Sequence, residues 1–248
     1  MAGELEQGSR RSRWKSWLAA SWKRWTVRVL ATFLVMVLGF AVFIDTSIGH
    51  RMVANYIAGL DPQSGLRIEI GEITGSLYGK AELHELTLSD PQGDFLQVPL
   101  TELDWRPLHW FTYGLDIRQL SFREATLSRF PEFNPGDPDS PILPAFDIRV
   151  DRFEIDRLEI AEGLVGERRE VSLLADARIE TGVVRLAVDG NLGGADRLSA
   201  MLEAEPEGDR FSLTLDYNAP AGGLLAGLTG AEEDWQASVS GEGGWREW

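Results

Sequence analysis

The residue types that most often carry enzyme chemistry are scattered along this chain. Its three histidines, His50, His84 and His109, stand far apart, with no acid or hydroxyl at the spacing of a catalytic triad or a metal pair. The sequence has no cysteine, which excludes a disulfide scaffold, a thiol nucleophile and a zinc site built from thiolates.

Two further features could bind a ligand by residue type, but neither has the required spacing. Asn134, Asp137 and Asp139 offer oxygen ligands, yet prolines separate them, which is more typical of turns than of a calcium loop. The pair Gly222 and Gly223 has no lysine after it, as a phosphate loop needs. Carboxylates elsewhere alternate with apolar residues, as on a solvated strand face. We therefore expect no enzyme activity, no metal and no cofactor.

The charge of the chain is strongly acidic and unevenly distributed. Its 248 residues include 24 basic and 39 acidic side chains, for a formal net charge of −15. Nucleic-acid binding depends on basic surface, so this balance argues against it. Residues 1–28 carry +5 and the rest −20, with Lys80 the sole lysine after position 28. Two parts so different in composition are expected to face different surroundings.

A membrane anchor is predicted near the N-terminus, because residues 29–44 carry no charge. A helix over residues 26–47 would be about 33 Å long, enough to cross a hydrocarbon core of roughly 30 Å. Basic residues precede it, so residues 1–25 are predicted as a cytoplasmic head and the acidic bulk as exported. A cleaved signal peptide is the alternative, but no small-x-small site follows. The predicted anchor residues are Arg28, Val29, Leu30, Phe33, Leu38, Phe40, Phe43 and Ile44.

A short amphipathic helix is predicted directly after the anchor, over residues 48–62. Val53, Tyr56, Ile57 and Leu60 recur at helical spacing and form one apolar face. This face either packs on the following domain, which we favour, or lies in the membrane interface.

The rest of the chain is predicted to be all-β. From residue 66 onward apolar and polar residues alternate, the period of a strand with one solvated face. Hairpin signals such as those at residues 90–94 and 181–182 predict antiparallel neighbours. A proline-rich loop at 131–145 separates residues 63–130 from residues 146–248. The predicted strands are 66–70, 81–89, 95–105, 115–128, 146–160, 169–180, 183–189, 198–204, 211–217 and 235–240.

Two of these strands have apolar residues that recur in steps of two and three. Side chains that stay on one face across a step of three require an extra residue, a β-bulge. Bulges bend a sheet, so a long antiparallel sheet with one apolar face is predicted to curl into a trough. A pentapeptide solenoid is the alternative, but each run stops after about three units. The pattern is compatible with both a filled core and an open groove. Its residues, the candidate groove lining, are Leu115, Ile117, Leu120, Phe122, Ile148, Val150, Phe153, Ile155, Leu158 and Ile160.

The order of these features resembles a known family. A basic head, one anchor, an amphipathic stretch and then residues 66–122 look like the N-terminal part of the TamB family, inner-membrane components of the translocation and assembly module in the AsmA-like superfamily. The matching positions are Gly71-Glu72-Ile73-Thr74-Gly75, Leu86-x-Leu88-x-Asp90, Gly93, Leu103-x-Trp105-x-Pro107, Gly114-Leu115-x-Ile117 and Gly190-Asn191-Leu192.

The resemblance implies a single-pass protein of the cell inner membrane with its bulk in the periplasm. Its elongated β-groove, a β-taco, would conduct phospholipid acyl chains toward the outer membrane. It also implies a TamA-like outer-membrane barrel partner, bound through a C-terminal region that this chain lacks, because family members are several times longer. The alternative is a scaffold that helps outer-membrane proteins insert by pairing with strand edges. A glycan-binding domain is a third possibility, with the aromatic residues Trp235, Trp245 and Trp248.

Overall fold

A computed structural model describes residues 7–60, 62, 64–135, 143–165, 167–221, 223 and 233–244, with side chains from residue 25 onward. The chain divides into two compact units, Met1–Thr46 and Ser47–Trp248. The predicted ligand residues Asp137 and Asp139, and the predicted aromatic residues Trp245 and Trp248, lie outside the described residues, as does Gly222.

The first unit is a single long helix, α1 (Gln7–Ile44). Within it, Trp25–Ile44 has a mean hydropathy of 2.5 and is long enough to cross a membrane. The apolar side chains of this stretch, Phe33 and Leu38 among them, are exposed in the isolated chain. The stretch therefore has the length and composition of a membrane anchor or of a signal sequence.

The second unit is mostly β-structure. After the helix α2 (Ser47–Ala58), eleven strands form one open sheet, with a 3-10 turn at Pro107–Phe111 and a short helix α3 (Glu162–Val165). The strands are β1 (Arg67–Glu69), β2 (Glu72–Gly75), β3 (Lys80–Asp90), β4 (Gly93–Trp105), β5 (Leu115–Leu127), β6 (Ile148–Ile160), β7 (Arg169–Glu180), β8 (Val183–Gly193), β9 (Asp196–Glu205), β10 (Arg210–Ala219) and β11 (Trp235–Gly243).

The ten predicted strands are all present, and the structure adds β2, which lies between the predicted strands 66–70 and 81–89. β1 and β2 lie end to end along the same edge of β3. The break between them is at Gly71, whose N–H bonds the carbonyl of His84. A Cβ at Gly71 would lie 2.7 Å from the Glu85 carboxylate, so this position favours glycine.

The order of the main sheet follows the chain from β3 to β11, and all but one of its neighbouring pairs are antiparallel. The exception is β5 with β6, which run parallel in constant register, Leu115 opposite Ile148 and Leu127 opposite Ile160. The prediction of a wholly antiparallel sheet was therefore wrong, and the sheet is mixed. A parallel pair needs a crossover of a dozen or more residues, which the proline-rich connection between β5 and β6 supplies.

The start of this crossover is held by a carboxylate at the tip of the β3–β4 hairpin. Asp90 Oδ2 accepts hydrogen bonds from Arg129 Nη1 at 2.7 Å and from the backbone N–H of Glu132 at 2.5 Å. Asp90 Oδ1 accepts one from the N–H of Gln92 at 2.7 Å. Arg129 also bonds the carbonyl of Gly93. These bonds hold the chain that follows β5 against the tip of the β3–β4 hairpin.

We call these hydrogen bonds to Asp90 the Asp90 clamp. The clamp should make the stability of the fold depend on pH. The Arg129 hydrogen bond lowers the pKa of Asp90 far below its ordinary value of 3.8, against the opposing effect of burial. Because the folded-state pKa is the lower one, its stabilisation is complete above about pH 5 and is lost as the pH falls below about 4. We expect Asp90→Asn to lower the free energy of unfolding at pH 7. The gap in this free energy between the variant and the unmodified chain should narrow as the pH falls toward 3.

Urea unfolding of the full chain in detergent, followed by circular dichroism at several pH values, measures this gap. Glu207→Gln, in the exposed turn before β10, is the matched control and should change little. A gap between Asp90→Asn and the unmodified chain that stays constant from pH 7 to pH 3 would contradict the role of the clamp.

The predicted bulges are found in β6. Its register with β7 shifts between Val150 and Phe153, and again between Ile155 and Leu158. These are the two steps of three in this strand, so that prediction is confirmed. The parallel partner β5 has its steps at the same places, which is why β5 and β6 keep a constant register.

β5 and its other neighbour, β4, behave differently. Their register shifts once, beside Ile117. The register does not shift at the second step of three in β5, from Phe122 to Ala125, because β4 also has a step of three there. That step in β4 lies around Pro99, which has no N–H to donate. Beyond β4, Glu85 of β3 has a φ of 54°. Irregularities thus lie side by side in four neighbouring strands, an arrangement that bends a sheet.

A glycine marks the place where the crossover returns to the sheet. Gly114, at the start of β5, has a φ of 94°, and a Cβ there would lie 2.2 Å from the carbonyl oxygen of Asp147. Gly182, in the β7–β8 turn, has a φ of 81° but nothing within 4 Å of such a Cβ. An alanine at Gly182 therefore adds only the free-energy cost of the left-handed backbone conformation. An alanine at Gly114 adds the cost of the clash as well.

We expect Gly182→Ala to lower the free energy of unfolding by about 1 to 2 kcal/mol and Gly114→Ala by at least about 3 kcal/mol. The larger loss arises because the backbone of Asp147 has to move, and with it the start of β6. Chemical denaturation of both variants measures the difference. Equal losses would contradict the close approach of these two strands.

Candidate functional site

One face of the sheet carries apolar side chains in rows that cross from β5 to β10. In one row whose members are all half-buried, the open row, Ile117 pairs with Val150, Val150 with Ala177, Ala177 with Leu186, Leu186 with Leu202 and Leu202 with Leu213. Because residues paired across strands share a face, three parallel rows can be followed in the same way. We call these four rows the apolar face. The other three are Leu115, Ile148, Ile179, Val184, Ala204 and Phe211; Leu120, Phe153, Ala175, Val188, Ala200 and Leu215; and Phe122, Ile155, Leu173, Gly190, Leu198 and Tyr217.

The apolar face is closed over its first strands. Phe122 and Ile155 are each 7% exposed and form a core cluster with Leu86, Val98 and Ala125. The rings of Phe122 and Phe153 meet edge to face with centroids 5.2 Å apart. This part of the face has the packing of an ordinary protein core.

Over β8, β9 and β10 the apolar face has buried members, Gly190, Ala204 and Tyr217, and larger members that are less buried. Leu186, Leu202, Leu213 and Leu215 are only half-buried although they lie in the middle of the sheet. Among the described residues, the elements with extensive backbone contacts to these strands are their hydrogen-bonded neighbours. Large apolar side chains in such a position leave contiguous apolar surface exposed.

The ten predicted lining residues all lie on one face of β5 and β6, but their burial differs. Phe122, Ile155 and Ile160 are buried, the last in a second cluster with Val165 and Val171. The remaining seven are half-buried: Leu115, Ile117, Leu120, Ile148, Val150, Phe153 and Leu158. Whether any of them contacts a ligand stays a prediction.

The half of the apolar face that β8, β9 and β10 provide was not predicted from the sequence. Leu186, Leu202 and Leu213 lie in apolar series with a step of two, although Ala187 and Met201 interrupt the alternation with polar residues. That pattern predicted the strands but gave no sign of a ligand surface, because any half-solvated strand shows it. The missing signal is the register, which places these three leucines in one row with Ile117 and Val150.

The opposite face is polar, and ion pairs connect neighbouring strands on it. Arg149 Nη2 lies 2.6 Å from Glu180 Oε1, and Arg185 Nε lies 3.3 Å from Glu203 Oε2. The hydrogen bond from Arg149 lowers the pKa of Glu180, against a smaller effect of burial. Arg123 pairs with Glu102 in the same way. This face therefore has the chemistry of a solvated surface.

A depression of about 600 Å³ crosses β6 to β11. Asp156, Asp189, Asp216 and Arg197 line it together with serine and amide side chains. Apolar residues line it as well: Ile155, Leu173, Leu174, Leu198 and Tyr217. Among the described residues, no group of three or more histidine, aspartate or glutamate side chains is arranged to hold a metal ion.

The structure does not bring the three histidines together. His50 Nδ1 lies 2.9 Å from the carbonyl of Ile73, and His84 Nε2 lies 3.1 Å from Thr74 Oγ1. His109 Nδ1 lies 2.6 Å from Asp116 Oδ2. Each ring thus has a structural partner of its own.

Two other candidates from the sequence are only partly described. The backbone N–H of Asn134 bonds the carbonyl of Ser64, which places this residue in the crossover. Trp235 stacks edge to face on Tyr217, with ring centroids 5.8 Å apart. Neither arrangement defines a ligand site within the described residues.

Comparison of the chain with protein-family models, with curated proteins and with solved structures finds no match in any of the three.

Proposed function

We propose that this chain is a membrane-anchored protein whose apolar face binds the acyl chains of phospholipids. One observation carries the proposal: the row from Ile117 to Leu213 crosses six strands with apolar side chains only, and its members are half-buried rather than sealed. An exposed apolar surface of this extent is typical of a binding surface rather than of a solvated one.

The physical requirements of an acyl chain fit this face. Each methylene removed from water contributes about 0.8 kcal/mol, without any directional contact. A lipid tail therefore needs continuous apolar lining and few polar partners, and its headgroup stays in water. The side-by-side irregularities of β3 to β6 support a sheet that curls around its apolar face. In that form the face would be a groove open along its length.

The N-terminal helix and the family resemblance support a location for this activity. Trp25–Ile44 would anchor the chain in the inner membrane as a single pass, with the basic residues before it in the cytoplasm and the β-sheet in the periplasm. As a member of the TamB family, the chain would pass phospholipid toward the outer membrane. A TamA-like barrel would be its partner. The proposal involves no chemical step and no cofactor.

A second function has one observation in its favour. β11 is paired on one side only within the described residues, and its sequence has neither the proline nor the lysine that commonly protects an edge strand. An outer-membrane protein could add a strand to this edge, which would make the chain an assembly scaffold.

A phospholipid with a photoreactive group in its acyl chain tests both functions. The full chain is reconstituted in vesicles that contain this lipid, irradiated and digested, and the labelled peptides are identified by mass spectrometry. Beyond the peptides of α1, the proposal predicts labelling of β8, β9 and β10. Labelling confined to α1, together with capture of a strand-forming client peptide by β11, would favour the scaffold.

A further inference from the structure

The connection between β4 and β5 presents apolar side chains to the outside at one end of the sheet. Phe111 is 83% exposed and Leu108 is 74% exposed, and both Trp110 and Tyr113 are exposed as well. Tyr78, in the neighbouring β2–β3 turn, is also exposed. We call these five residues the aromatic tip. Surface loops are ordinarily polar, so five exposed apolar or aromatic side chains at one end of a sheet need an explanation.

Polar side chains of the same connection bind a buried carboxylate of β5. The side chain of Asp116 is 4% exposed, and its Oδ2 lies 3.2 Å from Arg106 Nη1 and 2.6 Å from His109 Nδ1. Burial raises the pKa of Asp116, but the hydrogen bonds from His109 and Arg106 outweigh it and the net pKa is lowered. The N–H of Tyr113 bonds the carbonyl of His109 at 2.7 Å. Internal bonds thus hold the connection while its apolar groups face outward.

The aromatic tip lies at the end of the sheet where α2 begins. The N–H of Trp105 bonds the carbonyl of Gly79, which joins the β4–β5 connection to the β2–β3 turn. β2 leads into that turn. The carbonyl oxygen of Ile73 in β2 lies 2.9 Å from Nδ1 of His50, in the first turn of α2. The start of α2 therefore lies against the strand that leads to the aromatic tip.

A short covalent link limits the distance between the end of α1 and the start of α2. Only Asp45 and Thr46 separate the last residue of α1 from Ser47, the first of α2. Three residue steps span at most about 11 Å. If α1 crosses a bilayer, the start of α2 lies within about 11 Å of the end of the membrane span. The end of the sheet that packs against the start of α2 is then the one closer to the membrane.

We propose that the aromatic tip inserts into the headgroup region of the bilayer that α1 crosses. Tryptophan and tyrosine prefer this region because their rings are apolar and their N–H and O–H groups remain hydrated. Lys80, at the same end, lies 4.0 Å from Asp104 Oδ2, but its side chain is 83% exposed and can reach lipid phosphate. A fixed tip beside the anchor would hold one end of the apolar face against the bilayer, where acyl chains enter. The inference rests on the proposed membrane anchor.

The chain has no cysteine, so single cysteines can be placed and labelled without background. Phe111→Cys carries an environment-sensitive fluorophore in the full chain, reconstituted in vesicles of phosphatidylethanolamine and phosphatidylglycerol. A fraction of the lipid carries a spin-label quencher near its headgroup. Glu162→Cys, exposed in α3 at the opposite end of the sheet, is the matched control. Extraction with alkaline carbonate tests the anchor separately.

We expect the chain to remain in the membrane after carbonate, and the label at position 111 to be quenched at least about threefold more than the label at 162. With the label at Tyr113→Cys instead, replacing Leu108 and Phe111 by serine should remove this excess quenching. Equal quenching of the 111 and 162 labels in a carbonate-resistant chain would overturn the aromatic tip and leave the anchor in place. Release by carbonate would overturn the anchor, and the inference with it.

Discussion

Replacing Leu202 with aspartate is expected to reduce labelling of β8 to β10 by a photoreactive phospholipid at least about tenfold, while the sheet stays folded. Leu202 lies in the middle of the open row, between Leu186 and Leu213, and is half-buried. A carboxylate there would have to lose its water when an acyl chain lies across it. Because the position is not sealed by protein, the free chain can keep that carboxylate hydrated.

Met201 supplies the matched control for this substitution. It precedes Leu202 in β9, points to the polar face and is 64% exposed. Met201→Asp places the same charge in the same strand, 180° away in the pleat. Labelling should therefore be retained in Met201→Asp. Equal loss in both variants would indicate a general effect of charge on β9 and would contradict acyl-chain binding on the apolar face.

The largest loss of stability is expected at the closed part of the same face. Phe122→Asp should lower the free energy of unfolding by at least about 4 kcal/mol, because it leaves a cavity and buries a charge in the cluster of Leu86, Val98 and Ile155. Chemical denaturation followed by circular dichroism measures the loss. Phe111→Asp, at a position 83% exposed, is the control and should cost little.

Phe122→Asp also separates the two parts of the apolar face. On sequence alone, Phe122 and Ile155 are attractive positions at which a charge would block a groove. Their burial makes them positions where a charge unfolds the sheet, so they cannot report on a ligand. A folded Phe122→Asp variant with unchanged stability would contradict the core cluster and the closure of this end.

Local pattern was sufficient to predict most of the strands. Alternation fixed Arg169–Glu180 to the residue, and the steps of three in β6 predicted both of its bulges. β2 was missed because its four residues lie beside glycines and include too few apolar positions to show a period. Short strands of this kind are specified by their neighbour, here β3, rather than by their own sequence.

The direction of β6 could not be read from its pattern. The steps between apolar residues in β5 and β6 are the same forward and backward, so either direction would align the two strands' bulges. What decides is the connection, which leaves β5 at the Asp90 clamp and rejoins the sheet beside Gly114, at the end where β5 begins. Only a register known across all strands places Ile117 and Leu213 in one row, which is why the candidate site was half predicted.

Site-specific photocrosslinking tests the central claim most directly. A benzophenone amino acid is placed at position 202 or at position 201 of the full chain, in membranes, and lipid adducts are measured by mass spectrometry after irradiation. The two positions differ only in the face of β9 to which they point. We predict phospholipid adducts at 202 and few or none at 201. Adducts at neither position, or equally at both, would contradict an apolar face that receives acyl chains.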